Sequence, residues 1–249
     1  MSSTSGDLQK EYALRFAHMA QYRDAVWKIL IRRFFQEKIG TDQVILDLGS
    51  GWGEFINNIQ ASRKYAMDLN PEARERVSSD VVFLEQDCSA VWDLPDETLD
   101  VVFTSNFFEH LPSKQCLLDT LRQSMRCLKP GGRVICMGPN IKYLSNDYWD
   151  FFDHYIELSH LSLVEGFKMA DFQVTSVIPR FLPYTMADAK SGHYFCYTRI
   201  CSSQYFGPFS GSNFLSQRKN SRRKEQPQGM AVSWSVESGF SDNRGGYFV

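Results

Sequence analysis

Long hydrophobic runs are missing from this chain; none nears the roughly 20 apolar residues that a membrane-spanning helix needs. The N-terminus, Met1 to Gly6, is polar and lacks the charged-then-apolar plan of a signal peptide, so a cytoplasmic protein is expected. A dominant charge is missing too. Against 29 Asp and Glu stand 27 Lys and Arg, for a formal net charge of −2, which provides no general attraction to nucleic acid or an anionic membrane. Paired cysteines are the third absence. The six cysteines, at 88, 116, 127, 136, 196 and 201, contain no Cys-x-x-Cys spacing, so neither a zinc knuckle nor a dithiol redox motif is indicated, and reduced thiols are expected.

What is present is an ordinary globular composition, 43% hydrophobic and 22% charged over 249 residues, with aromatics at a high 14% that suggests apolar pockets as well as a core. The chain is organised around Val44-Ile45-Leu46-Asp47-Leu48-Gly49-Ser50-Gly51-Trp52-Gly53-Glu54-Phe55. Val44 to Leu48, apolar apart from Asp47, reads as a buried strand. A glycine turn follows, then Phe55, Ile56 and Ile59 at helical spacing. Strand, glycine turn and helix start form a nucleotide cradle: the backbone can approach a ligand closely, and the helix N-terminus offers unpaired N–H groups. The dinucleotide fingerprint G-x-G-x-x-G needs a third glycine where this chain has Glu54.

Residues 8 to about 39 read as helix, ended by Gly40. Further strands are expected at Lys64–Leu69, Val81–Glu85, Leu99–Ser105 and Arg133–Met137, the last after a turn at Lys129-Pro130-Gly131-Gly132. Helices are expected from the glycine turn to Ser62, at Pro71–Val77 and at Pro112–Leu128, where Leu117, Leu118, Leu121, Met125 and Leu128 form one stripe. This alternation implies parallel strands joined by right-handed crossovers, with the ligand beyond their carboxyl ends. Asp68, Asp87 and Asn106 lie at such ends. Asp68 can accept hydrogen bonds from both hydroxyls of a ribose, and Asp87-Cys88 can reach an adenine.

Taken together, Asp47-Leu48-Gly49-Ser50-Gly51, Met67-Asp68-Leu69-Asn70-Pro71, Gln86-Asp87-Cys88, Asn106-Phe107-Phe108-Glu109-His110-Leu111 and Leu128-Lys129-Pro130-Gly131-Gly132 resemble the successive motifs of the class I S-adenosylmethionine (SAM)-dependent methyltransferases. The resemblance covers about residues 41 to 140 and implies an α/β fold: a Rossmann-like, doubly wound, mainly parallel sheet of about six to seven strands. It implies SAM as cofactor, with Asp47, Gly49, Ser50 and Gly51 at the methionine part, Asp68 and Leu69 at the ribose, Asp87 and Cys88 at the adenine, and Asn106 and Phe107 on the other side. Tyr22 and Arg23 sit in a helix that in similar enzymes covers the cofactor; Arg23 could pair with the methionine carboxylate or simply be solvated. On this reading residues 1–40 are an N-terminal helical cap and 41–186 the SAM-binding domain, with a substrate lid at 140–160.

The acceptor side is expected after the fifth strand. Asn140, Tyr143, Tyr148, Trp149 and Phe152 are the candidate substrate residues, in a stretch too aromatic for an ordinary loop. His154 and His160 are the candidate bases, with His110 behind them, since imidazole titrates near neutrality; Asp150 or Asp153 could orient one. Were the segment helical, Asp150, Asp153, His154 and Glu157 would share a face, but a lid suits the sequence better and no metal site is expected.

Beyond the lid, Ser162–Ala170 reads as helix and Phe172–Ile178 as a sixth strand. A seventh is sought at His193–Ile200, with Tyr205–Gln217 the poorer candidate. Residues 187–210 are a poorly defined end of the domain. Residues 211–249, polar and Gly/Ser-rich with a basic cluster at Arg218, Lys219, Arg222, Arg223 and Lys224, are expected to be a disordered, irregular tail. The expected function is methyl transfer to a small-molecule or saccharide acceptor, most simply at oxygen, without membrane and with no nucleic-acid partner expected. The competing readings are a SAM-fold binding or regulatory protein without turnover, an RNA methyltransferase using the basic tail and, for the fold alone, a dehydrogenase. Oligomeric state is not fixed by the sequence.

Overall fold

The computed structural model describes residues 20–144, 146–182 and 233–239. Its strands are β1 (Val44–Leu48), β2 (Arg63–Met67), β3 (Val81–Leu84), β4 (Leu99–Ser105), β5 (Leu128–Pro139), β6 (Gln173–Ile178) and β7 (Ser233–Gly239). They form one seven-stranded sheet in the order β3-β2-β1-β4-β5-β7-β6. β1 to β5 are parallel, and β7 runs antiparallel to both β5 and β6. The chain steps outward from β1 to β3, then returns to lay β4 on the other edge of β1. That reversal opens a crevice beyond the carboxyl ends of β1 and β4.

Side-chain alternation sends each strand into two cores. Ile45, Val101, Phe103 and Ile135 face one, and Leu46, Leu48, Val102 and Val134 the other. The first core is closed by α1 (Ala20–Leu30), which runs on through a π-helical segment Ile31–Phe35 and a last turn Gln36–Lys38, and by α2 (Glu54–Asn58). There Phe55 stacks on Phe103 with ring centroids 3.6 Å apart, and Phe35 and Trp27 meet the pair edge-on. Beyond β2 comes the short α3 (Pro71–Arg76). The second core is closed by α4 (Lys114–Cys127) and α5 (His160–Met169), through Leu117, Leu121, Leu163 and Phe167. The starts of these helices are capped: Asn70 for α3 with Pro71 in its first turn, Ser113 for α4, and a reciprocal Ser159–Ser162 box for α5.

Two expectations are corrected, the end of α2 and the tail. α2 stops at Asn58, short of Ser62: the Asn58 amide donates to Glu54 O at 2.8 Å and Ile59 is already extended, because the chain must turn into β2. Between β5 and the helix that starts at His160 the described residues hold one 3₁₀ turn rather than the helix set aside in the sequence reading. A 3₁₀ turn, Asn146–Asp150, leads into irregular chain, where the Tyr155 and Ile156 N–H groups donate to Glu109 O rather than to carbonyls one turn back, so Asp150, Asp153, His154 and Glu157 do not share a helix face. Finally, Ser233–Gly239 is a strand, so these residues are not part of a disordered tail. Serine and glycine weaken its strand character, but Trp234 and Val236 alternate with polar residues. The stretches His193–Ile200 and Tyr205–Gln217, the basic cluster, and residues 8–19 lie outside the described residues. Among the described residues no helix is long and apolar enough to cross a membrane.

Candidate active site

Beyond Leu48 the backbone enters conformations that suit glycine alone: Gly49, Gly51 and Gly53 have φ of 69°, 52° and 76°. The N–H groups of Gly49 and Ser50 donate to Met67 O at 2.9 and 3.2 Å, tying the turn to the end of β2. Leu48 lies level with Met67 on one side and Thr104 on the other, so the turn, Asp68 and the exit of β4 form a row. Asp68 accepts from Gly51 N–H and from Asn70 N–H, each at 2.8 Å, on different oxygens. Each oxygen has a second lone pair for a ligand hydroxyl. Burial raises the Asp68 carboxyl, opposed by those backbone donors and by the charge of nearby His110.

Asp47 is buried under the turn, and burial, then the charges of Asp68 and Glu54, hold its carboxyl well above the usual range. Three carboxylates thus converge at the turn. A ligand bearing sulfonium and ammonium charge would favour the ionised forms of Asp47 and Asp68 that burial disfavours. Arg23 of α1 pairs with Glu54 at 2.7 Å, so its guanidinium is engaged by the protein, and Tyr22 beside it is exposed. Ser50 Oγ is buried with no hydrogen-bond partner among the described residues. This orphaned hydroxyl, the left-handed glycines and the acidic surround together fit SAM.

At the end of β3, Asp87 Oδ1 accepts from the N–H and hydroxyl of Ser89 at 2.8 and 2.7 Å, a turn that leaves the carboxylate at the surface. Cys88 belongs to the core. Thr120 donates to its sulfur, Trp92 Nε1–H donates to its carbonyl, and burial pushes the thiol up to about 12, so this thiol is inert. Leu69 is exposed. Asn106, with φ of 48°, is tied to Met137 O through its N–H and turns the chain so that the Phe107 ring lies against Gly49.

The next turn carries a second constellation. Glu109 is buried, which pushes its carboxyl up to about 7. His110 Nδ1 lies 3.1 Å from both the carbonyl and a carboxylate oxygen of Asp153. Both are acceptors, so Nδ1 carries the proton. Burial would lower this imidazole, but the Asp153 hydrogen bond and the charges of Glu109 and Asp153 raise it overall. His154 Nδ1 faces Tyr148 O at 2.8 Å, again an acceptor, so its lone pair too is on Nε2. Ligand atoms of Glu109, His110 and His154 lie within 4.8 Å of one another.

His160 does not join them. The Asn140 amide donates to Pro179 O at 3.0 Å, which fixes its nitrogen, and that nitrogen also lies 2.9 Å from His160 Nδ1. The Nδ1 lone pair is therefore spent and Nε2 carries hydrogen, a donor rather than a base. Burial and then Lys142 lower this imidazole. Tyr143 stacks on His160, and Arg180 lies 4.2 Å from the Tyr143 ring centre, making a layered Arg–Tyr–His wall. Of the expected substrate residues, Asn140 and Tyr148 are buried, the Tyr148 hydroxyl donating to Ile156 O, while Trp149 and Phe152 are 56% and 89% exposed.

Sequence reasoning did not single out Glu109 or Arg180 as site residues. Glu109 carries a local signal, an acid beside a histidine in a short apolar turn. Arg180 carries none.

A family model described as a methyltransferase domain matches residues 19–177. No curated protein matches the chain. Among solved structures, a SAM-dependent methyltransferase from Archaeoglobus fulgidus superposes with a TM-score of 0.62 at 17% identity, over 90% of this chain and 99% of that one. The protein solved in complex with the Trm112 methyltransferase activator of Haloferax volcanii gives 0.61 at 16%, over 92% and 95%. A possible histamine N-methyltransferase from Thermotoga maritima gives 0.61 at 14%, over 93% and 98%. At these identities the structural likenesses establish the fold.

Proposed function

The chain belongs to the methyltransferase domain family, and from that premise we propose that this SAM-dependent enzyme methylates a hydroxyl oxygen of a small molecule or saccharide. The observation that carries the acceptor reading is the convergence of Glu109, His110 and His154 one turn beyond Phe107, which itself packs on the cofactor turn. A hydroxyl is a poor nucleophile until its proton is lost, so an oxygen acceptor needs such groups where a thiol or amine needs them less.

SAM supplies a methyl group already activated on a sulfonium. The chain's own residues do the rest. Gly49, Ser50 and Gly51 would hold the methionine part, Asp68 the ribose and Asp87 with the Cys88 backbone the adenine. The carboxylates of Asp47, Glu54 and Asp68 favour the cofactor's positive charge. Around the acceptor, His154, its Nδ1–H held by Tyr148 O, would offer an Nε2 lone pair beside Glu109, and His110, held by Asp153, would offer one on releasing its second proton, lowering the cost of deprotonating the hydroxyl. Tyr143 and His160 offer a stacking wall and a donor suited to a polar ring. Alignment of the acceptor and exclusion of water then account for the rate.

The test is methyl transfer from labelled SAM to a panel of hydroxyl, amine and thiol acceptors, with the product position assigned by NMR. O-methyl products from hydroxyl acceptors are expected. Transfer confined to amines or thiols would overturn the oxygen reading, and SAM binding without any product would favour a regulatory protein.

A further inference from the structure

We propose that Glu109, His110 and His154 form a binding site for one divalent cation of the zinc type. The inference rests on the reading of the acceptor side above and deepens it: the cation, held by these lone pairs, would bind and acidify the acceptor oxygen.

Geometry carries the proposal. Two imidazoles and one carboxylate come from segments far apart in the chain, the turn after β4 and the lid, and their ligand atoms lie within 4.8 Å of one another. Bonds of about 2.0–2.2 Å to one ion need ligand atoms roughly 3–3.6 Å apart, so a shift of about an ångström closes the set. Both rings are also held from behind. His110 Nδ1–H donates to Asp153, and His154 Nδ1–H donates to Tyr148 O. A metal-bound histidine commonly donates its far N–H to a carboxylate or carbonyl, which fixes the tautomer and aims the other nitrogen at the ion. The two segments are pinned together by backbone, since Tyr155 and Ile156 N–H donate to Glu109 O at 2.8 and 3.3 Å. The cluster is therefore held together by backbone and side-chain hydrogen bonds rather than being a chance meeting of surface groups, and Glu109 and His154 are both buried.

The donor set selects the ion. Two nitrogens and one carboxylate suit zinc, manganese, iron(II) or cobalt better than calcium or magnesium, which favour all-oxygen shells. Three protein ligands leave coordination positions open, the pattern of catalytic rather than structural sites. A hydroxyl oxygen in one of them would lose its proton more easily.

The full chain, stripped with a chelator, would be titrated with cobalt(II) and with zinc(II). One equivalent should bind, with cobalt d–d absorption showing nitrogen and oxygen ligands and no thiolate charge-transfer band. H154Q and E109Q should each weaken zinc at least about 10–100-fold, while SAM affinity, measured in parallel as the check on folding, stays within a few-fold. D153N, which keeps all three ligands, should weaken the metal by a smaller factor. No stoichiometric binding by the unaltered chain, or undiminished binding by both ligand variants, would overturn the proposal. Metal binding is read without any acceptor: a metal-binding protein that methylates no hydroxyl refutes the acceptor reading alone, whereas chelator-insensitive O-methylation with no metal bound refutes the cation site alone.

Discussion

The ring of Phe107 lies so close to Gly49 that a Cβ built on the glycine would sit 2.3 Å from Phe107 Cδ2. The glycine turn and the exit of β4 are therefore in direct contact, and the space between them is set by the absence of one methyl group.

Gly49→Ala should fail on two counts, steric and conformational, because φ is +69°. A loss of about 1–3 kcal/mol is expected from overpacking alone. Urea denaturation would read it, and SAM affinity by calorimetry should fall at least tenfold. The double variant with Phe107→Ala should recover part of the stability. No recovery would show that the backbone angle, not the ring, dominates.

Asp68→Asn retains an acceptor for one backbone N–H but removes the charge and one of the oxygens that a ribose would use. SAM affinity should drop about 10–100-fold, as loss of charge-assisted hydrogen bonds of about 1.5–3 kcal/mol implies. The melting temperature without cofactor should also fall, because one of the two backbone N–H groups of Gly51 and Asn70 loses its acceptor, at a cost of about 1–3 kcal/mol. An affinity equal to that of the unaltered protein would remove Asp68 from the cofactor site.

The two buried carboxyls make stability depend on pH in an unusual direction. Asp47 and Asp68 both have raised folded values against an ordinary 3.8. The native state therefore holds protons that the unfolded chain has released. The stability these groups contribute is complete below 3.8 and is lost as pH rises through their folded values. Asp47→Asn removes one of them, so the urea midpoint of that variant should decline less steeply from acid toward neutral pH. A slope unchanged from the parent would contradict the assignment.

His154 and His160 should separate cleanly. H154Q should lower kcat for O-methylation by about 10²–10⁴-fold, the usual worth of acid–base assistance. His160→Gln should act on structure instead: it disturbs a buried amide network with Asn140, costing about 1–3 kcal/mol, and should raise KM more than it lowers kcat. Equal kcat losses would mean that both rings meet the reacting oxygen.

These contrasts mark what a linear sequence can display. β1 and β4 were readable to their end residues because apolar runs bounded by turn formers are local signals, and so was the glycine turn. His110 and His154 could be named as imidazoles, but not as neighbours, since only folding brings the lid back to Glu109. His160 looked equivalent to His154 until Asn140 and Pro179 showed that its lone pair is spent. Cys88 sits correctly in its motif, yet its thiol belongs to the core through Thr120. Arg180 follows a proline at the end of β6, and nothing local announces that it covers Tyr143. β7 hides in a serine-rich stretch whose only cue is alternation of Trp234 and Val236.

The position of β7 has a consequence for synthesis. On the ribosome, β5 and β6 emerge well before Ser233–Gly239, yet they are not partners of each other and each must pair with β7. Until translation reaches Gly239 both keep a bare edge of unpaired amides and carbonyls. A premature stop upstream of Ser233 would leave the helices, the glycine turn and the histidine cluster encoded but the sheet unsealed, and such a fragment is expected to be a substrate for chaperones and proteases, and prone to aggregate through those edges.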